Sequence, residues 1–120
     1  MTDSNSIAQG YIALWNDADN GSRRALLSRD WADDARYADP VMAGDGRDGI
    51  AAMIAKARTQ FPGHIFTLAG TPDGHGSFVR FSWTLAPSGG ATVAAGTDIV
   101  RLDRTGRIAE VIGFLDGVAA

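Results

Sequence analysis

Apolar positions recur at helical spacing through the first half of the chain and alternate with polar ones through the second. Ile7, Tyr11, Leu14 and Ala18 trace one stripe after Ser4-Asn5-Ser6, which can supply an N-cap, and Asp19-Asn20-Gly21 supplies a stop, so a first helix is predicted there. Residues 22–28, with Leu26 and Leu27 inward, predict a shorter second helix that leads to Trp31, a core plug, and to a polar turn at Asp33-Asp34. Residues 36–39 read as a brief strand ended by Pro40, and a two-residue period puts Tyr37 and Asp39 on one face. After a loop at Gly44-Asp45-Gly46, the stripe Ile50, Met53, Ile54, Ala57 and Phe61 predicts a third helix stopped by Pro62-Gly63.

From His64 onward, alternation predicts strands over residues 64–69, 77–86, 91–102 and 107–115. Pro72-Asp73-Gly74, Pro87-Ser88-Gly89-Gly90 and Asp103-Arg104-Thr105-Gly106 separate them as turns, which makes consecutive strands antiparallel neighbours. Helices first and a strand meander second is the α+β pattern, with the helices on one side of a bent antiparallel sheet. The chain of 120 residues has the length of a single domain, residues 1–120.

Composition narrows the chemistry. Hydrophobic residues at 45% and charged residues at 21% fit an ordinary folded domain rather than a disordered one. A net charge of -3 without a basic run gives no footprint for nucleic acid or anionic lipid. The absence of cysteine excludes thiolate nucleophiles, disulfides and cysteine ligands, and the two histidines, His64 and His75, argue against a zinc site. Residues 1–6 are polar and no apolar run reaches membrane-spanning length, so a cytoplasmic location is the expectation. The glycine-rich stretches lack a phosphate-binding or dinucleotide fingerprint, and no metal or cofactor is expected.

Three polar residues stand out against apolar surroundings. Asp39 precedes Pro40 and shares a face with Tyr37; a carboxylate on the wall of an apolar pocket loses hydration and becomes a proton shuttle, while the plainer reading is a turn-starting Asp turned to solvent. Asp98 shares a strand face with Val100 and Leu102, so it is either protonated or hydrogen-bonded, with an ion pair to Arg80 as the alternative. Tyr11 follows Ile7 by one helical turn, and its hydroxyl needs a buried partner or a place in a cavity. His64, at a strand start, is a second-tier acid/base candidate. Trp15, Tyr37, Phe66, Trp83 and Phe114 offer aromatic walls, and Arg80 a polar one. Alternation groups Phe81 and Trp83 with Val79 and Leu85, and Phe78 and Arg80 with Ser82 and Thr84; only one set can line a pocket.

Several segments resemble the nuclear-transport-factor-2-like superfamily, which includes SnoaL-like polyketide cyclases and ketosteroid isomerase. They are Tyr11-Ile12-Ala13-Leu14-Trp15-Asn16, Trp31-Ala32-Asp33-Asp34-Ala35 before Asp39-Pro40, Gly46-Arg47, Gly96-Thr97-Asp98 and Thr105-Gly106-Arg107-Ile108. The resemblance implies a cone-shaped cystatin-like fold, three helices on a strongly curved sheet around an apolar pocket, and a homodimer. Ketosteroid isomerase carries a Tyr on its first helix, an Asp before Pro and an Asp on its penultimate strand, and Tyr11, Asp39 and Asp98 occupy those places. The resemblance thus implies Asp39 as base, with Tyr11 and a protonated Asp98 as donors to an enolate oxygen. Ile54 departs from it, standing where that enzyme's third helix offers a supporting Tyr, and residues 61–66 look more like SnoaL-like proteins.

The expected function is cofactor-independent acid/base chemistry, of isomerase or cyclase type, on a small apolar carbonyl compound. Dehydration or epoxide opening in the same pocket is the second reading, favoured if His64 or Arg80 reaches Asp39. A non-catalytic module for an apolar ligand is the third, favoured if Asp39 faces solvent and Asp98 is locked in an ion pair.

Overall fold

The computed structural model describes residues 3–116. Helix α1 spans Ser4–Asn16, α2 Asn20–Asp30 and α3 Gly46–Gln60; strands β1 (Trp31–Ala38), β2 (Ala43–Asp45), β3 (His64–His75), β4 (Phe78–Pro87), β5 (Ala94–Leu102) and β6 (Ile108–Leu115) form one sheet. The strand order is β2-β1-β6-β5-β4-β3. Pairing is antiparallel except between β1 and β6, which run parallel. The helices pack on one face of this curved sheet, with α1 lying over β3 and β4 and α3 over β1. The fold is the α+β, cystatin-like arrangement expected.

Local chemistry explains most boundary differences. Asp3, rather than a residue of Ser4-Asn5-Ser6, caps α1 by accepting the Asn5 amide. α1 stops at Asn16 because Asp19 is already the N-cap of α2, accepting the Ser22 amide at 2.7 Å. β1 begins at Trp31, so Asp33-Asp34 lies inside an irregular strand whose register with β6 shifts between Trp31 and Arg36. Pro72-Asp73-Gly74, expected as a turn, runs within β3; a proline is tolerated there because β3 is an edge strand whose register shifts between Ala69 and Asp73. The reversal comes instead at Gly76, at φ +57°. The loop at Gly44 contains the short strand β2, and β5 starts at Ala94.

The sheet's concave face and the helices share one core. Val79, Phe81, Trp83 and Leu85 of β4 are buried with Val100 and Leu102 of β5, Val111 of β6 and Ala35 and Tyr37 of β1. Trp31 is buried as a plug, and its ring stacks on Tyr11 with centroids 6.0 Å apart. The Arg47 guanidinium ties the start of α3 to this junction by donating to the Trp31 carbonyl. No described helix is long and apolar enough to cross a membrane.

Candidate active site

The wide end of the cone is not filled. A cavity of about 130 Å³ lies between α1, α3 and the concave sheet face, walled by Trp15, Phe66, Trp83, Leu85 and Leu115 among others. The polar residues Tyr11, Tyr37, Asp39, Asp98, Arg58 and His64 are also among those that line it. Aromatic edges set the walls: Phe66 meets Trp15 at 5.4 Å and Trp83 at 5.3 Å between centroids.

Asp98 is 3% exposed and accepts a 2.6 Å hydrogen bond from the Tyr11 hydroxyl and a longer one, 3.3 Å, from the Trp83 indole N–H. No cation pairs with it among the described residues. Burial pushes its carboxyl up to about 6, against the opposing pull of the Tyr11 and Trp83 bonds; the negative charge of Asp39 adds to the rise. Burial, and then the Asp98 charge, hold the Tyr11 hydroxyl well above the usual phenol range, so it remains a proton donor. Burial and Asp98 likewise raise Tyr37.

Asp39 sits just past the end of β1, half-buried, where three donors hold it. Its Oδ1 accepts the amides of Val41 and Met42 at 2.8 and 2.9 Å, and its Oδ2 accepts the Tyr37 hydroxyl at 2.6 Å. One oxygen thus serves the turn read for an Asp before Pro, while the other is held by Tyr37, which lines the cavity with it. Gly113 of β6 separates Asp39 from Asp98: a Cβ there would stand 2.9 Å from Asp98 Oδ1 and 3.0 Å from Asp39 Cβ. Gly96 plays the same part beside Trp83, whose ring atoms would lie as near as 2.6 Å to an added Cβ. Gly96 entered the sequence reading only as part of Gly96-Thr97-Asp98 and Gly113 not at all, although a glycine inside a strand is itself a sign of close approach.

The structure thus brings together Tyr11, Trp15, Tyr37, Asp39, His64, Phe66, Trp83 and Asp98. Arg80 and Phe114 do not belong to the pocket. The alternation of β4 and β6 turns both to the outer sheet face, where Arg80 pairs with Asp73 at 2.8 Å and Phe114 is 53% exposed. The inward set on β4 is that of Phe81 and Trp83. His64 lines the cavity, but its Nδ1 is paired with the Pro62 carbonyl at 3.0 Å rather than with Asp39. Neither condition for the epoxide-opening reading is met, and neither is the ion pair that would have favoured a passive module. Met42 and Arg58 are lining residues the sequence did not flag. Among the described residues no cluster of three or more His, Asp or Glu side chains is placed to hold a metal.

The SnoaL-like domain family matches the chain over residues 8–111. A crystal structure of a SnoaL-like family protein from Agrobacterium tumefaciens, provisionally called an isomerase, is 57% identical, with a TM-score of 0.94 over 98% of this chain and 100% of that one. More distant structures share the fold alone. A provisionally named polyketide cyclase from Sinorhizobium meliloti is 17% identical, with a TM-score of 0.71 over 93% of this chain and 99% of that one. A protein of unknown function with a cystatin-like fold from Methylobium petroleophilum is 22% identical, with a TM-score of 0.72 over 100% and 82%. No curated protein is significantly similar to the chain.

Proposed function

Because the chain belongs to the SnoaL-like domain family, we propose that it is a cofactor-independent acid/base enzyme of isomerase or cyclase type acting on a small apolar carbonyl compound. One observation carries the reading: a half-buried carboxylate, Asp39, is held at the cavity wall beside a buried carboxyl, Asp98, that accepts the Tyr11 hydroxyl. Two carboxyl groups in unlike environments suit opposite protonation tasks.

Asp39 takes a proton from the carbon next to the substrate carbonyl. The C–H electron pair becomes the carbon–carbon double bond of an enolate, and the carbonyl oxygen takes up the negative charge. Tyr11 and Asp98 face that charge. A ligand that displaces water from the cavity raises the Asp98 carboxyl further, so that Asp98 takes a proton from solvent as the ligand enters and no longer needs the Tyr11 hydrogen. That hydrogen then turns to the enolate oxygen, joined by the Asp98 proton. The protonated Asp39 returns its proton to a different carbon, and the double bond has migrated.

A panel of β,γ-unsaturated ketones, followed by the ultraviolet absorbance of the conjugated product, tests the reading. Conjugation above the buffer rate supports it; a panel that is bound but never conjugated contradicts it.

We assign the outer sheet face to a second copy of the chain. Ile112 and Phe114 of β6 are exposed there, beside Ile99 and Thr97 of β5, with which they are in register. Phe78 of β4 is exposed on the same face, and an apolar strip of this kind suits a self-complementary contact.

A further inference from the structure

The cavity is electrically lopsided. Its acceptors, Asp39 and Asp98, are gathered at the sheet side around Gly113, whereas its one permanent cation among the described lining residues, Arg58, stands on α3 at the other side. Arg58 Nη1 donates to the Trp15 carbonyl at the C-terminal end of α1, at 2.8 Å, which fixes the guanidinium against the cavity lip. The lip itself is firm, because the Asn16 amide exchanges two 2.8 Å hydrogen bonds with the Phe66 backbone across α1 and β3.

One edge of the guanidinium is left over. Nε and Nη2 of Arg58 donate to no protein group among the described residues, and no carboxylate lies within ion-pair distance. The charge bears on Asp17 at the surface, whereas Asp98 is shifted by burial, Tyr11, Trp83 and Asp39. The cation on α3 and the two carboxyls near Gly113 of the sheet thus stand on different walls of the cavity. The free Nε/Nη2 edge is the fork that receives both oxygens of a carboxylate. His64, which lines the same cavity, adds a ring nitrogen, Nε2, that the Pro62 contact leaves open.

Building on the acid/base reading above, we propose that the substrate is an apolar keto acid, with its carboxylate held by the free edge of Arg58 and its ketone directed to Tyr11, Asp39 and Asp98. The apolar body spans the aromatic walls between the two polar ends. Arg58 is in this account a substrate-binding residue that selects the class of compound and sets its direction in the cavity.

The test uses 4-oxo-4-phenylbutanoate and its methyl ester as matched probes, which differ in the charge and not in the aryl ketone. Binding is read from the fluorescence of Trp15 and Trp83, which line the cavity. The wild-type protein should bind the acid at least about tenfold tighter than the ester, the ratio expected of a charge-assisted pair. Arg58→Gln should abolish that preference by weakening the acid and leaving the ester within about twofold, while Arg58→Lys, which keeps the charge without the fork, should restore part of it. The ester affinity and the thermal midpoint serve as the control for folding of each variant. Equal affinity for both probes, a preference that survives in Arg58→Gln, or no binding of either would overturn the proposal. Double-bond migration in neutral ketones would stand in any of these cases, and a carboxylate preference without turnover would stand if that reading fell.

Discussion

The Tyr11 hydroxyl lies 2.6 Å from Asp98 Oδ2, in a part of the molecule where both residues are 3% exposed. Helix α1 and strand β5 are far apart in sequence, and this bond joins them at the floor of the cavity. Its direction matters: the phenol donates and the carboxylate accepts, so in this arrangement no proton is offered to the cavity. The chemistry proposed begins when water leaves and Asp98 takes up a proton.

That buried carboxyl has a consequence for stability. Asp98 is raised from 3.8 to about 6 on folding, so the folded state holds a proton more readily than the unfolded one across that interval. Its contribution is therefore most favourable below 3.8 and is lost as the pH rises through about 6. Asp98→Asn removes this dependence and preserves an acceptor for Tyr11. In denaturant titrations, the stability of Asp98→Asn relative to wild type should improve between pH 4 and pH 8 by up to about 3 kcal/mol, because a tenfold change in proton affinity is worth about 1.36 kcal/mol. A difference between the two proteins that is the same at both pH values would show that the carboxyl is not raised.

Gly96 is predicted to be sensitive for steric reasons. An added methyl group would stand 2.5 Å from the Phe114 carbonyl oxygen and 2.6 Å from Trp83, on both sides of a strand held in register. Gly96→Ala should cost about 1–3 kcal/mol of stability in urea titration, the usual range for overpacking. It should also shift the Trp83 emission, since the indole must move; a variant with wild-type stability and emission would contradict the packing described.

The outer sheet face gives a prediction about assembly. Sedimentation of the wild-type chain should give a dimer, and Ile112→Glu with Phe114→Glu should give a monomer whose circular dichroism is unchanged. The substituted side chains are exposed in the single chain, so the fold itself should tolerate them. A wild-type monomer would remove the second copy from the account.

The sequence brought the central residues to one place for physical reasons. An aspartate on the aliphatic face of Val100 and Leu102 had to be buried, and Asp39 had to follow Tyr37 by the strand period; both hold, the second through a direct hydrogen bond. The two faces of β4 differ in apolar content, with Val79, Phe81, Trp83 and Leu85 on one and only Phe78 among Arg80, Ser82 and Thr84 on the other, but the alternation alone does not say whether helices or a second copy cover the apolar one. Only the packing of α1 over β4 decides it, and with it Arg80 and, across the sheet, Phe114 go to the outside. The parallel pairing of β1 with β6 joins strands separated by most of the chain, a relation that no local turn signal encodes. Arg58 follows Ile54 by one helical turn and so lay close to the apolar stripe of α3, but a polar residue there reads as surface until the cavity beside it is seen.

The central claim is that Asp39 moves the proton, and the most direct test is the rate of conjugation of β,γ-unsaturated ketones by wild type and by Asp39→Asn. Asn keeps the shape and can still accept the Val41 and Met42 amides, but it cannot serve as the base. Turnover should fall by at least about a hundredfold, as loss of a general base commonly gives. An Asp39→Asn variant that turns over a ketone as fast as wild type would contradict the account.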